Sequence, residues 1–204
     1  RGLGDVYKRQ QLIAKSGYSS QLGFEIYLNN SKLGEKLWDT ICSFGKKYNL
    51  RPGAPNLIDR IEAGLLSFGN DMTSENSPLE CGFEKYCALS SDIDFIGKAK
   101  LKSEKNIGPK LKLCGIAFGG EAQSACTIPW PIYFNNLKIG EITSGIYNPS
   151  LKVNTGIALV MTENLDKFST VKVKALNSKI TEGVICSLPF TISKNYELIN
   201  QIRY

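Results

Sequence analysis

Beyond about residue 112 the chain changes from helical spacing to short β-rich runs, and this change constrains its fold more than any other feature. The runs lie at 113–118, 132–134, 138–143, 156–161, 170–175 and 184–186. Turn signals at Gly119-Gly120, Asn135-Asn136, Asn148-Pro149 and Asn177-Ser178 separate them. Six short strands within about eighty residues predict a small antiparallel barrel. The region before the barrel mixes helix and strand, with the boundary expected near 106–112, at the end of a basic connector running from 98 to 112.

Residues 24–28 read as a short strand, with Phe24, Ile26 and Leu28 on one face and Glu25 and Tyr27 on the other. Leu33, Leu37, Ile41, Phe44 and Tyr48 then recur at helical spacing and predict a helix over 32–48. Pro52-Gly53-Ala54-Pro55 interrupts it, and Asn56 is positioned to cap a second helix over about 57–67. Leu57, Ile58, Ile61 and Leu65 form the buried stripe of that helix. Arg60 lies at its edge, where a solvated side chain is the ordinary case. Glu62 is turned about 200° from Arg60, so the two do not pair locally. Gly69-Asn70-Asp71 ends the helix, residues 73–78 form a loop, and 92–105 read as a lysine-bearing helix.

The chain contains no histidine. That excludes imidazole bases, Ser-His-Asp and Cys-His nucleophile systems and His-ligated metals. Six cysteines are scattered without a C-x-x-C pair, so buried thiols in a reducing cytoplasm are expected, and no metal. The formal charge is +6, but the lysines are dispersed and no aromatic-interleaved basic stripe occurs. The expectation is therefore a solvated surface with some attraction for an anionic ligand, without a nucleic-acid partner. No apolar run reaches membrane-spanning length and no secretory leader is read, so no membrane partner is expected. Asp5-Val6-Tyr7-Lys8-Arg9-Gln10 resembles the in-frame translation of a sequencing-library adapter, which sets residues 1–10 apart from the fold.

Carboxylates, lysines and tyrosines are the remaining acid–base groups. Glu25 and Tyr27, aimed from one strand face, are the best pair, and Tyr18 could fold back toward them across Gly23. A carboxylate among ring faces suits a cationic or amino-rich ligand. The same alternation also describes an amphipathic strand with Glu and Tyr in water, which is the commoner case.

A resemblance adds to this reading. Ser16-Gly17-Tyr18 with Gly23-Phe24-Glu25-Ile26, and Arg60-Ile61-Glu62-Ala63-Gly64-Leu65-Leu66 with Gly69-Asn70-Asp71, resemble motifs of the folate-dependent aminomethyltransferase (glycine cleavage T-protein) family. Pro78-Leu79-Glu80-x-Gly82, Gly140-Glu141-Ile142-Thr143-Ser144-Gly145 and Pro149-Ser150-Leu151 continue the likeness, in order, from about residue 12 to 190. Pro55 to Glu62, Leu79 to Phe83, Ser91 to Lys98 and Leu188-Pro189-Phe190 are most similar to its dimethylsulfoniopropionate demethylase branch. Ser19-Ser20-Gln21-Leu22 stands where the T-protein proper has an acidic stretch, which counts against glycine cleavage.

The resemblance implies an α+β fold in which 11–108 are the remainder of a folate-binding domain. A small antiparallel β-barrel domain at 109–192 and a tail at 193–204 would follow. It implies an enzyme that passes a methyl group from a small-molecule sulfonium donor to tetrahydrofolate. Glu25, Arg60 and Phe68 would serve the folate, and Tyr18 and Tyr27 would flank the donor. Phe68 stands where the family often has Tyr, and the demethylase branch tends to carry Trp at the position of Tyr18. The family's catalytic Asp is expected upstream of residue 11, so these residues alone are not expected to turn over a methyl donor. The alternatives are an aminomethyltransferase proper and a sarcosine- or dimethylglycine-type demethylase. The related non-enzymatic folate-binding proteins of tRNA modification carry a Lys-Gly-Cys-Tyr-x-Gly-Gln motif that is missing here.

Overall fold

The fold is given by a computed structural model that describes residues 11–19, 21–54, 56–163, 170–176, 179–190, 199–200 and 202. The adapter-like residues 1–10 and the turn signal Asn177-Ser178 lie outside the described residues, as does most of the tail beyond 190. The chain divides into two compact units, Arg1–Asn56 and Leu57–Tyr204.

In the first unit β1 (Leu12–Ala14) pairs antiparallel with β2 (Glu25–Tyr27). A 3-10 turn at Ser31–Leu33 leads into α1 (Gly34–Gly45), and another at Lys46–Tyr48 follows it. The Asn30 side chain accepts from the Lys32 N–H at 3.1 Å, so an Asn cap begins the turn the hydrophobic spacing foretold. Asn49, at φ 58°, closes the far end.

The second unit opens with α2 (Leu57–Ala63), four residues shorter than the expected 57–67. Gly64 takes φ 67°, its N–H bonds the Ile61 carbonyl at 3.0 Å, and the Leu65 N–H reaches back to the Arg60 carbonyl at 3.0 Å. Those two bonds make a Schellman C-cap, which ends the helix even though the apolar spacing runs on to Leu65. The third helix, α3 (Lys98–Ile107), starts six residues later than expected. Ahead of it, the buried Lys98 ammonium donates to the carbonyls of Ser91 and Ile93, holding residues 91–97 in turns instead.

All six expected strands form: β3 (Leu111–Phe118), β4 (Trp130–Phe134), β5 (Leu137–Asn148), β6 (Val153–Met161) and β8 (Thr181–Cys186) run longer than expected, whereas β7 (Val171–Val173) is shorter than the expected 170–175. They close into an antiparallel barrel in the order β3-β6-β5-β4-β7-β8. Asn135 and Asn136, both at positive φ, make the two-residue turn between β4 and β5.

Alternation along the strands builds two cores. One gathers Ile116, Phe118, Trp130, Ile132, Ile142 and Val160 from the barrel strands. The other gathers Ala117, Val153, Ile157, Val184 and Phe190 against Ile61 of α2, which is fully buried. This second cluster ties α2 to the barrel. The boundary expected near 106–112 therefore lies inside the second compact unit, whose division from the first falls after Asn56.

All six cysteines are free, and Cys81, Cys114 and Cys186 are buried. Burial, with Cys186 nearby, pushes the Cys114 thiol up to about 12, and burial pushes Cys186 up to about 12. Above pH 9 the unfolded chain loses these protons while the fold retains them, so stability should fall as pH rises from 9 toward 12. The slope is about 1.4 kcal/mol per pH unit for each thiol. Urea midpoints measured between pH 8 and 10.5 should decline, and Cys114→Ala and Cys186→Ala should each flatten that decline. A slope that neither substitution changes would assign it to other groups.

Candidate functional site

Two constellations are built separately, one in each compact unit. In the first, the register places Glu25 opposite Ala14, Ile26 opposite Ile13 and Tyr27 opposite Leu12. Glu25 and Tyr27 thus share a sheet face, as alternation requires, and Ile26 lies on the other. Both faces are open. Tyr27 and Tyr18 are about half exposed, Glu25 is exposed, and Phe24 and Ile26, expected on the opposite face, are also exposed. The Ser16 hydroxyl donates to Glu25 Oε2, which fixes the carboxylate from one side. A carboxylate engaged by a single hydroxyl retains acceptor capacity for ligand N–H groups.

The second constellation centres on Arg60. Instead of lying solvated at the stripe's edge, Arg60 is buried and ion-paired to a buried Asp71, with Nη1 to Oδ2 at 2.7 Å. Nη1 also donates to the Leu65 carbonyl at 2.8 Å, and Nη2 donates to the Ser144 hydroxyl. Asp71 carries much of the remaining geometry. Its Oδ2 accepts the Ser67 N–H at 2.8 Å, and its Oδ1 accepts the hydroxyls of Thr143, at 2.7 Å, and Ser144. Asn70 Nδ2 donates to the Thr143 carbonyl at 3.0 Å and to Ser144 Oγ at 2.8 Å.

A bulge in β5 makes this cluster available. Ile142 pairs with Ala158 of the barrel's inner cluster, but two residues on Ser144 pairs with Ile157 of the cluster beneath α2. The register shift between Ile142 and Ser144 moves Ser144 off the inner face and toward Asp71. Phe68 sits on the same loop, residues 64–71, and is 73% exposed.

Sequence reasoning named Arg60 and missed its partners. Asp71 stood in view, but only as part of a helix-ending turn. The missed signal is a carboxylate three residues after an exposed aromatic, with an arginine eleven residues before it. Nothing local linked either to Ser144. Glu62, read as pointing away from Arg60, accepts from the Asn148 side chain instead and helps pin α2 to β5.

Among the described residues no cluster of three or more Cys, Asp or Glu side chains could hold a metal. No helix of the described residues is long and apolar enough to cross a membrane.

Comparison with known proteins bears on both constellations. Residues 4–91 match the GCVT N-terminal domain family. The chain is 43% identical over 149 residues to the dimethylsulfoniopropionate demethylase DmdA of Ruegeria pomeroyi, covering 73% of this chain and 40% of that protein. It is 34% identical over 191 residues to an aminomethyltransferase of Thermoanaerobacter sp., covering 91% of this chain and 50% of that protein. The crystal structure of glycine cleavage system aminomethyltransferase T from Bartonella henselae superposes with a TM-score of 0.68 at 22% identity, covering 91% of this chain and 51% of the other. The chain thus spans about half the length of the relatives it matches.

Proposed function

The chain belongs to the folate-dependent aminomethyltransferase (glycine cleavage T-protein) family, and from that premise we propose that it forms part of a tetrahydrofolate-dependent methyltransferase whose donor is dimethylsulfoniopropionate or a similar sulfonium. The observation that carries the donor assignment is the 43% identity to the Ruegeria demethylase, set against 34% to the Thermoanaerobacter aminomethyltransferase.

When bound, tetrahydrofolate would supply N5 as the acceptor of the methyl group, with the sulfur leaving as a neutral thioether that keeps the carbon–sulfur electron pair and the N5 proton passing to solvent. A sulfonium is already an activated leaving group, so the protein's work is positioning and the exclusion of water. Glu25, held by Ser16, accepts from the amino and ring N–H groups of the pterin. Tyr18 and Tyr27 offer ring faces to the donor's positive sulfur. Phe68 supplies an apolar contact to the folate without the hydroxyl of a tyrosine. Arg60 serves the folate by keeping the Phe68 loop on β5, because its guanidinium is already committed to Asp71, Leu65 and Ser144.

A second reading, aminomethyl transfer, is favoured by the Thermoanaerobacter relative's likeness over 91% of this chain. The donor decides between them. With these residues joined to the rest of a family-length protein, dimethylsulfoniopropionate should yield 5-methyltetrahydrofolate. Turnover of an aminomethyl donor alone would establish the second reading instead.

In the same protein Glu25→Ala should weaken tetrahydrofolate binding by about 1.5–3 kcal/mol, the worth of a charged hydrogen bond. Tyr27→Ala should raise the donor KM. Fluorescence titration that found folate affinity unchanged in Glu25→Ala would remove Glu25 from the site.

A further inference from the structure

Where β3 ends and β8 begins, the barrel carries a cavity of about 340 Å³. Phe118, almost fully buried, lines it, and Glu121 and Lys179 bring opposite charges to it. Its rim, residues 119–123, is held by Asn154, which is fully buried. Asn154 Nδ2 donates to the carbonyls of Gly119 and Glu121 at 3.1 and 3.0 Å, and Oδ1 accepts the Gln123 N–H at 2.9 Å. The Tyr147 N–H bonds the Gln123 carbonyl at 3.0 Å. A rim tied by its backbone to the barrel wall is a preformed surface rather than a loose loop.

The polar groups of this cavity are unspent. Among the described residues Glu121 and Lys179 enter no ion pair, with each other or with a third group. The Thr181 hydroxyl is buried and has no hydrogen-bond partner among the described residues, a condition that native proteins rarely keep without a use. Its methyl group faces Gly120, 2.7 Å from where a Cβ would stand. One turn about χ1 exchanges methyl and hydroxyl and carries an O–H donor to the cavity wall.

We propose that this cavity binds a small zwitterion, an ω-amino acid whose ammonium and carboxylate stand apart on a short methylene chain. The ligand carboxylate accepts from the Lys179 ammonium and the turned Thr181 hydroxyl, and the ligand ammonium donates to the Glu121 carboxylate. The two protein charges select against simpler ligands. A plain anion meets Glu121 and a plain cation meets Lys179, so each gains one attraction and suffers one repulsion. Lys179 and Glu121 do not come within ion-pair distance of each other, so a molecule that satisfies both must hold its own charges apart. Its methylenes then lie along Phe118. None of these residues is among those assigned to the folate or the methyl donor, and the site requires nothing of that assignment. Occupancy links the stability of the barrel to the concentration of the ligand.

The test titrates the 204-residue chain with 4-aminobutyrate by calorimetry, beside butyrate and butylamine, which each carry one of its charges. One-to-one binding of 4-aminobutyrate, with each half-ligand weaker by about tenfold or more, is the expected result. Lys179→Met and Glu121→Gln, both at exposed positions, should each weaken binding by about tenfold while leaving the near-ultraviolet signal of the barrel unchanged. Thr181→Val keeps the side-chain volume and removes the O–H, and should weaken binding by about fivefold. The thermal midpoint of the chain should rise with 4-aminobutyrate and stay fixed in the two charge variants. Butyrate binding as tightly as 4-aminobutyrate would overturn the zwitterion in favour of a plain anion at Lys179. Affinity unchanged in both charge variants would place the ligand elsewhere, and affinity unchanged in Thr181→Val would overturn the role of the hydroxyl. No saturable binding up to about 30 mM would overturn the proposal outright.

Discussion

Asp71→Ala should destabilise the Leu57–Tyr204 unit by about 3–5 kcal/mol, because it leaves the buried Arg60 charge without its partner. The loss reaches beyond the ion pair. The Ser67 N–H and the hydroxyls of Thr143 and Ser144 all lose the carboxylate they share. Loop 64–71 would then come free of β5, and Phe68 with it. Arg60→Met combined with Asp71→Leu should cost far less than either charge left alone, since an apolar pair of similar volume removes the unpaired charge rather than stranding it. Thermal denaturation of the two single variants and the double variant measures this directly. A double variant as unstable as the singles would mean that the hydrogen bonds to loop and strand outweigh the ion pair.

Trp130→Ala should cost about 3–5 kcal/mol, the range for an aromatic removed from a packed core. Trp130 is 3% exposed and meets Phe118 edge-on, with ring centroids 5.8 Å apart at 87°. It also explains one glycine. A Cβ on Gly145 would lie 2.6 Å from the Trp130 ring, so β5 has no side chain where the indole packs across it. Gly145→Ala alone should therefore overpack the barrel by about 1–3 kcal/mol. In the Trp130→Ala background the same substitution should be much milder, because the indole's space is vacant. Urea unfolding of the four-member cycle should show a coupling of about 1 kcal/mol or more. Strict additivity would mean that β5 yields to the new methyl without reference to Trp130.

The barrel was legible because its information is local. Each strand announces itself by β-rich composition and each hairpin by its turn residues, as Asn135-Asn136 does between β4 and β5. Strand ends were underestimated because β5 continues through Thr143 to Asn148, where small and polar residues break the apolar alternation. The hairpin face carrying Glu25 and Tyr27 was equally legible, since a period of two leaves no choice once the strand is assigned. Helix ends were less so. Apolar spacing persists through Leu65, but the left-handed Gly64 and its two backbone bonds stop α2 at Ala63.

The sequence by itself determined the two grammars of the chain, the six-stranded barrel, the lack of histidine among these 204 residues and the family likeness. It also determined which face of the first hairpin carries a carboxylate beside a ring. Only the tertiary structure decided what Arg60 does. Its partners Asp71 and Ser144 lie 11 and 84 residues away, and no periodicity reports contacts at such separations. Ser144 faces Asp71 because a one-residue bulge shifts the register of β5, an event the apolar pattern does not encode. Burial followed the same rule. The stripe on α2 found the barrel and packed Ile61 completely, whereas the equally regular stripe on α1 stayed open, because periodicity specifies an apolar face but not the surface that meets it.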